Sequence, residues 1–178
     1  MPEILPHPSH LTDGRLVLRP PEAGDVPGIT AACQDLETAR WTRVPSPYTE
    51  AHAEAWVRAQ PEAGAVALLA VDAETGQLLG AVGLVAVDRP QGRAELGFWT
   101  APWARRRGVA VGAIRLLASW SFEALALARL QAFAREENRL SQQTLERAGF
   151  VREGVLRSYE EIKGERWNMV VFSLLPEE

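Results

Sequence analysis

Three arginines, Arg105, Arg106 and Arg107, run directly into Gly108, and the apolar stretch "VAVGAIRLLASWSFEAL" follows. The start of a helix already carries partial positive charge, so cations there are locally unfavourable. An anion would change that balance. The first amides of a helix have no intrahelical partner, and a glycine lets a phosphate come close enough to use them. A strand ending at "WTAP", a tight turn and a helix opening on Gly108 would make such a cradle. The competing reading is that the arginines are solvated and the glycine merely fits a turn. The usual nucleotide signatures, G-x-x-x-x-G-K-[ST] and a G-x-G-x-x-G after a strand, do not occur in the chain.

Glu95 is the second residue with chemical potential. In "RAELGFWT", period-2 alternation puts Glu95, Gly97 and Trp99 on one face and Ala94, Leu96 and Phe98 on the other. A carboxylate there is either the cross-strand partner of an arginine such as Arg93, an edge residue in water, or a general base. Asn138 and Ser141 are a third candidate. They stand three apart at the start of "NRLSQQTLERAG" and so lie near each other, which simple helix capping would also explain.

These residues need a scaffold, and hydrophobic periodicity supplies one. "GRLVLRP" reads as a strand stopped by Pro20, and "EAGDVPGITAACQDL" has mixed helical character. "RWTRVPSPYTE" is a proline-punctuated loop, and Thr49 caps a helix over "EAHAEAWVRAQ". "AVALLAVDAETGQLLGAVGLVAVD" is two strands around a turn at Glu74-Thr75-Gly76, and "RAELGFWTAP" is a third. An amphipathic stripe from Val109 to Ala124 predicts a helix over 108–126, and "RLQAFARE" returns to strand. Asn138 and Gly149 bound a short helix, and the end of the chain forms two strands around Lys163-Gly164. The pattern is one α/β (α+β) domain over 12–178, mostly antiparallel with one strand-helix-strand crossover, behind a loose Pro- and His-rich arm at 1–11.

In this context "Arg105-x-x-Gly108-x-Ala110" resembles the coenzyme A pyrophosphate loop of the GNAT superfamily of N-acetyltransferases. The stretches "GRLVLRP", "GAVGL", "AELGFWTAPWARRRGVA", "ENRLSQQTLERAGF" and "REGVLRSYEEIKGERWNMVVFSLL" are similar, in order, to the branch that includes ribosomal-protein N-terminal acetyltransferases. The resemblance implies a mixed, mostly antiparallel sheet of about seven strands with helices around it and a splayed central strand pair. It implies acetyl-CoA as cosubstrate. The amides near Arg106, Arg107, Gly108, Val109, Ala110 and Val111 would hold the pyrophosphate, with at least one of Arg105, Arg106 and Arg107 on phosphate. The strand backbone around Phe98 and Trp99 would take the pantetheine. Asn138 would lie near the pantetheine and Ser141 near the thiol, while Glu95 would serve as general base. The family often carries a tyrosine acid where this chain has Leu145, so Ser141 or water would protonate the thiolate. Trp41, Pro45 and Tyr48 lie on a loop that lines the acceptor pocket in relatives. The implied acceptor is a primary amine, above all the α-amine of a ribosomal or other protein N-terminus. A small amine (aminoglycoside, polyamine or amino acid) and a non-catalytic acyl-CoA-binding module are the alternatives.

Bulk properties narrow the classes further. The chain has 178 residues, 47% hydrophobic and 24% charged, enough to bury a core without a staple. A net charge of −4 makes the arginine run a local patch and gives no general pull toward nucleic acid. Cys33 is the only cysteine, which suits a reducing cytoplasm. No segment reads as a signal peptide or membrane span. His7, His10 and His52 lack metal-ligand spacing, so no metal is expected. Glu160, Glu161 and Glu165 flank the last turn and would attract a cationic amine if they face the site. A cytoplasmic monomer or homodimer is the expected form.

Overall fold

Strands and helices form where the hydrophobic period changes. In the computed structural model, which describes residues 6–59 and 65–176, the alternating run before Pro20 gives β1 (Leu11–Thr12) and β2 (Leu16–Arg19). Pro27 sits at the opening of α1 (Val26–Cys33), where its missing N–H is harmless. Asp35 caps α2 (Leu36–Trp41) by accepting from Thr38 N at 2.9 Å. This helix is absent from the sequence expectation, which has loop from Arg40 onward; the Asx cap is the local signal for it. Then come α3 (Glu50–Ala59), β3 (Val66–Asp72), β4 (Leu78–Asp88) and β5 (Arg93–Thr100). The amphipathic stripe folds as α4 (Val109–Leu125). It is followed by β6 (Arg129–Arg135), α5 (Arg139–Ala148), β7 (Val151–Ile162) and β8 (Glu165–Leu174).

The strands form one sheet in the order β1-β2-β3-β4-β5-β6-β8-β7. Eight strands replace the expected seven or so, because Leu11 and Thr12 pair antiparallel with Leu18 and Val17. The expected arm at 1–11 therefore ends in the sheet. His7 bonds the Ala65 carbonyl at 3.1 Å and Pro8 is buried, while residues 1–5 lie outside the described part. Every pairing is antiparallel except β5 with β6. β4 is buried at every position from Leu78 to Leu84. A strand buried at both alternating sets is covered on both faces; α1 and α4 both pack against it. The core runs through Leu18, Leu68, Leu84, Ile114, Leu117, Leu130 and Phe172, all at or near zero exposure.

The far edge is held by a bidentate pair. Arg129 reaches both Glu153 oxygens at 2.8 and 2.6 Å, and Ser173 Oγ donates to the same carboxylate at 2.7 Å. These contacts hold the Glu153 carboxyl down at about 2. A depressed carboxyl stabilises the fold above its unfolded pKa and stops doing so as pH falls through the folded one. Glu153→Gln should therefore lower the urea midpoint at pH 7 slightly, since the pair is part-exposed. Wild type and variant should converge as pH drops from about 4.5 toward 2. Urea melts at the two ends of that window check it, and a constant difference would show that the pair contributes nothing.

Candidate active site

β5 and β6 start together and then part. They pair only at Arg93–Arg129, Ala94–Leu130 and Glu95–Gln131. Beyond Glu95, β5 stays on β4 as far as Thr100, while β6 stays on β8 as far as Arg135. The edge of β5 from Leu96 to Thr100, which carries Phe98 and Trp99, thus has no ladder partner on the β6 side. Both strands run the same way, so α4 and α5 begin at the same end of the opening. Ligands of parallel strand pairs collect at such carboxyl ends.

Gly108 is the N-cap of α4 with φ +75°, and no side chain caps the helix. That left-handed conformation favours glycine, and beyond its chain neighbours no described residue lies within 4 Å of where a β-carbon would stand. The preceding Arg106 is also left-handed, at φ +60°. Arg107, Gly108, Val109 and Val111 line a cleft of about 740 Å³, shared with Arg15, Arg115 and Arg147 and with Asp13, Asp72 and Glu74. Ala110 is half-buried on the same turn. Arg105 points elsewhere. It pairs with Asp35 and donates to Thr38 Oγ1 at 3.0 Å, fastening the loop to α2. Burial would raise the Asp35 carboxyl, yet Arg105 and the Thr38 amide keep it below the usual range.

At α5, Asn138 Oδ1 accepts from Ser141 N at 3.1 Å, so Asn138 is a cap, and Ser141 is half-buried beside it. Gly149 closes the helix at φ +107°.

Glu95 sits where the two strands part, its side chain 22% exposed. Its neighbour is Arg43, whose Nη2 lies 3.5 Å from Glu95 Oε1. Arg43 Nε also donates to Glu160 Oε1, so one guanidinium spans two carboxylates. The bond to Glu160 raises Arg43 above its usual range, against the effect of burial. Arg93, the expected cross-strand partner, lies on β5 itself two residues before Glu95 and pairs across to Asp88 on β4. Beside Glu160 lies a cluster of aromatic and cationic side chains. The Arg135 guanidinium stacks 4.1 Å over Trp167 and 6.0 Å from the centre of Trp41, and Phe133 stacks on Tyr159 at 5.3 Å. Arg135 Nε, Trp167 Nε1 and Glu160 Oε2 are buried without a hydrogen-bond partner among the described residues. Arg40 also lies 4.6 Å over Trp41, so both indoles already carry an arginine, and the carboxylates are the groups that suit a cationic guest.

A sequence profile described as acetyltransferase (GNAT) domain matches residues 15–151. The chain belongs to the GNAT acetyltransferase family. It is 35% identical over 105 residues to the uncharacterized N-acetyltransferase p20 of Bacillus licheniformis, a match covering 59% of each protein. The chain thus spans under two thirds of that relative's length. A Vibrio cholerae structure, provisionally assigned as a ribosomal-protein-serine acetyltransferase, superposes with TM-score 0.81 at 26% identity over 94% of this chain and 97% of its own. The Vibrio cholerae spermidine N-acetyltransferase, solved with CoA and spermine, shares the fold at TM-score 0.80 and 22% identity, over 93% of this chain and 98% of its own.

Placed in the GNAT frame, the expected residues divide. Glu95, Phe98, Trp99, Gly108 and the first turn of α4, Asn138 and Ser141 gather around the opening or at its carboxyl end. Trp41 joins them through the Arg135–Trp167 stack. Tyr48 does not, which corrects its expected place in the acceptor pocket. It is 8% exposed and packed in the core beside Cys33 and His52, its hydroxyl pushed up to about 12 by burial. Cys33 is likewise raised to about 11 by burial and is a core thiol. Leu145 is fully buried and carries no acid. Of the acidic trio, Glu160 faces the site, Glu165 is exposed but acts on Arg135, and Glu161 pairs with Arg166 in solvent. Arg43, Arg135 and Trp167 escape the sequence reading. Only the β-period could have flagged Arg135, as a cation on the same strand face as Phe133. Among the described residues no His/Cys/Asp/Glu group is placed to hold a metal, and no helix is long and apolar enough to cross a membrane.

Proposed function

We propose that this chain transfers the acetyl group of acetyl-CoA to a primary amine, most readily the α-amine of a peptide or protein N-terminus. The observation that carries the reading is the parting of β5 from β6, with an uncapped helix start at one end and Glu95 at the other. The free amides around Arg106–Val111 offer the pyrophosphate its donors. The unladdered edge of β5 offers the pantetheine its backbone partners, and an N–H there aimed at the thioester oxygen would stabilise developing charge. In the reaction the acceptor nitrogen attacks the thioester carbonyl. The C–N bond forms, the C–S bond breaks, and the nitrogen's proton passes to Glu95 directly or through water. The thiolate takes a proton from Ser141 or water, which is undemanding for a thiol of pKa about 8.5.

An α-amine suits this modest machinery. Its pKa is about 7.7–8.0 against about 10.4 for lysine, so at pH 7 roughly a tenth is neutral, compared with under about a thousandth of lysine. The Vibrio cholerae relative assigned to ribosomal protein points the same way. Short basic peptides with a free α-amine should be acetylated faster than the same peptides with a blocked terminus and free lysines. Mass spectrometry locates the acetyl group. Preference for lysine, or activity on polyamines or aminoglycosides alone, would move the assignment to another amine. Failure to release free thiol with any amine tested would point to a binding module.

A further inference from the structure

The bridge at Glu95 has a feature that a resting general base does not need. One exposed arginine from the loop after α2 lies between two carboxylates that are themselves largely withdrawn from water. The Arg43 side chain is 56% exposed, while Glu95 and Glu160 are 22% and 18%. The arginine reaches them across 52 and 117 residues of sequence. Its hold is uneven: tight on Glu160 and loose, at 3.5 Å, on Glu95. Glu160 Oε2 is buried and has no hydrogen-bond partner among the described residues, so this carboxylate has accepting capacity that Arg43 does not use.

We infer that Arg43 is a built-in competitor for the acceptor, its guanidinium lying between Glu95 and Glu160 where the ammonium of the incoming amine must sit. The inference rests on the acetyl-transfer reading, because it names how the acceptor of that reaction is admitted. A primary ammonium has three N–H donors and one positive charge. It can bridge the same two carboxylates and then lose one proton through Glu95 to water, which leaves Glu95 ionised to take the second proton as the nitrogen attacks. Arg43 must first leave Glu95. Part-exposed ion pairs of this kind contribute only about 0–1 kcal/mol, so displacement is easy for a cation and unrewarded for a neutral guest. A neutral amine cannot replace the charge that leaves. The loop arginine thereby favours cationic guests, among which the lower pKa of an α-ammonium makes its proton the easier one to remove, and it keeps the carboxylates paired between turnovers. Arg43 is in this account a specificity residue and takes no part in proton transfer.

The test uses Arg43→Ala and Arg43→Lys in the full chain. The acceptors are a short peptide amide with one free α-amine, protonated at pH 7, and an arylamine that is neutral there. Arg43→Ala should lower the KM of the peptide amide by up to about fivefold and bring it no closer to saturation with the arylamine. Arg43→Lys, which keeps a cation in place, should restore the wild-type KM for the peptide. Acetyl-CoA affinity, read by calorimetry, should not move. The peptide's affinity is measured in parallel, without turnover, by calorimetry in the presence of CoA. An unchanged or raised peptide KM and Kd in a folded Arg43→Ala protein overturns the competitor role and leaves acetyl transfer standing. A tightened Kd without any acetyl transfer, in wild type or variant, keeps the competitor role and overturns the reaction. Equal KM changes for the two acceptors overturn the charge argument.

Discussion

Glu95→Gln should slow the acetyl-transfer step about 10²-fold, the ordinary contribution of a positioned base, with acetyl-CoA affinity nearly unchanged. The amide keeps the shape of the side chain and loses the proton acceptor. The site should survive the change, because Arg43 keeps its tighter partner Glu160 and the β5 register depends on backbone pairing with β4. Single-turnover rates across pH separate the chemical step from binding. The loss should be largest where the acceptor is still protonated and shrink as rising pH delivers neutral amine without help. Glu160→Gln is the matching control on the other side of the guanidinium. A wild-type rate for Glu95→Gln at every pH, with a slowed Glu160→Gln, would transfer the base assignment to Glu160. Wild-type rates for both would mean that the amine loses its proton to bulk water.

Gly108→Val should weaken acetyl-CoA binding at least tenfold, about 1.4 kcal/mol. Two effects add. Valine at φ +75° is strained, because a left-handed conformation costs a β-carbon residue about 1–2 kcal/mol. Its branched side chain also enters space that no described residue beyond its chain neighbours occupies, which is where an anion approaching the first amides of α4 must pass. Gly108→Ala separates the two. It carries most of the backbone strain with little bulk, so its melting temperature should fall nearly as far as that of the valine variant while its affinity falls less. Calorimetry with acetyl-CoA on the folded variants decides the matter. Unchanged affinity in Gly108→Val would refute the pyrophosphate assignment at this turn.

What was legible in the sequence was what neighbours along the chain decide. Residues 109–125 show a helical stripe, β6 shows period-2 burial through Leu130, Ala132 and Ala134, and both patterns arise from backbone geometry within a few residues. The Asn138 cap, the left-handed Gly108 and Gly149, and the Lys163-Gly164 turn are likewise short-range events, settled by side-chain reach and by the steric cost of a Cβ. α2 was missed although Asp35 was there to cap it, because a six-residue helix shows too little of the 3.6 period to stand out. Only the tertiary structure decided where the long side chains go. Arg105 belongs to an apparent phosphate motif, yet it reaches Asp35, seventy residues earlier. Tyr48 sits on a polar, proline-rich loop and is nevertheless driven into the core beside Cys33. Glu95 finds Arg43 rather than the adjacent-sequence Arg93, and Arg43 finds Glu160. The opening that gives these residues a purpose depends on β4 and β8 pulling β5 and β6 apart beyond Glu95, a competition among four strands drawn from distant parts of the chain. Local propensity sets each strand's existence. The choice of partner, and so the shape of the gap between them, is an energy shared by the whole sheet and appears only when the sheet is assembled.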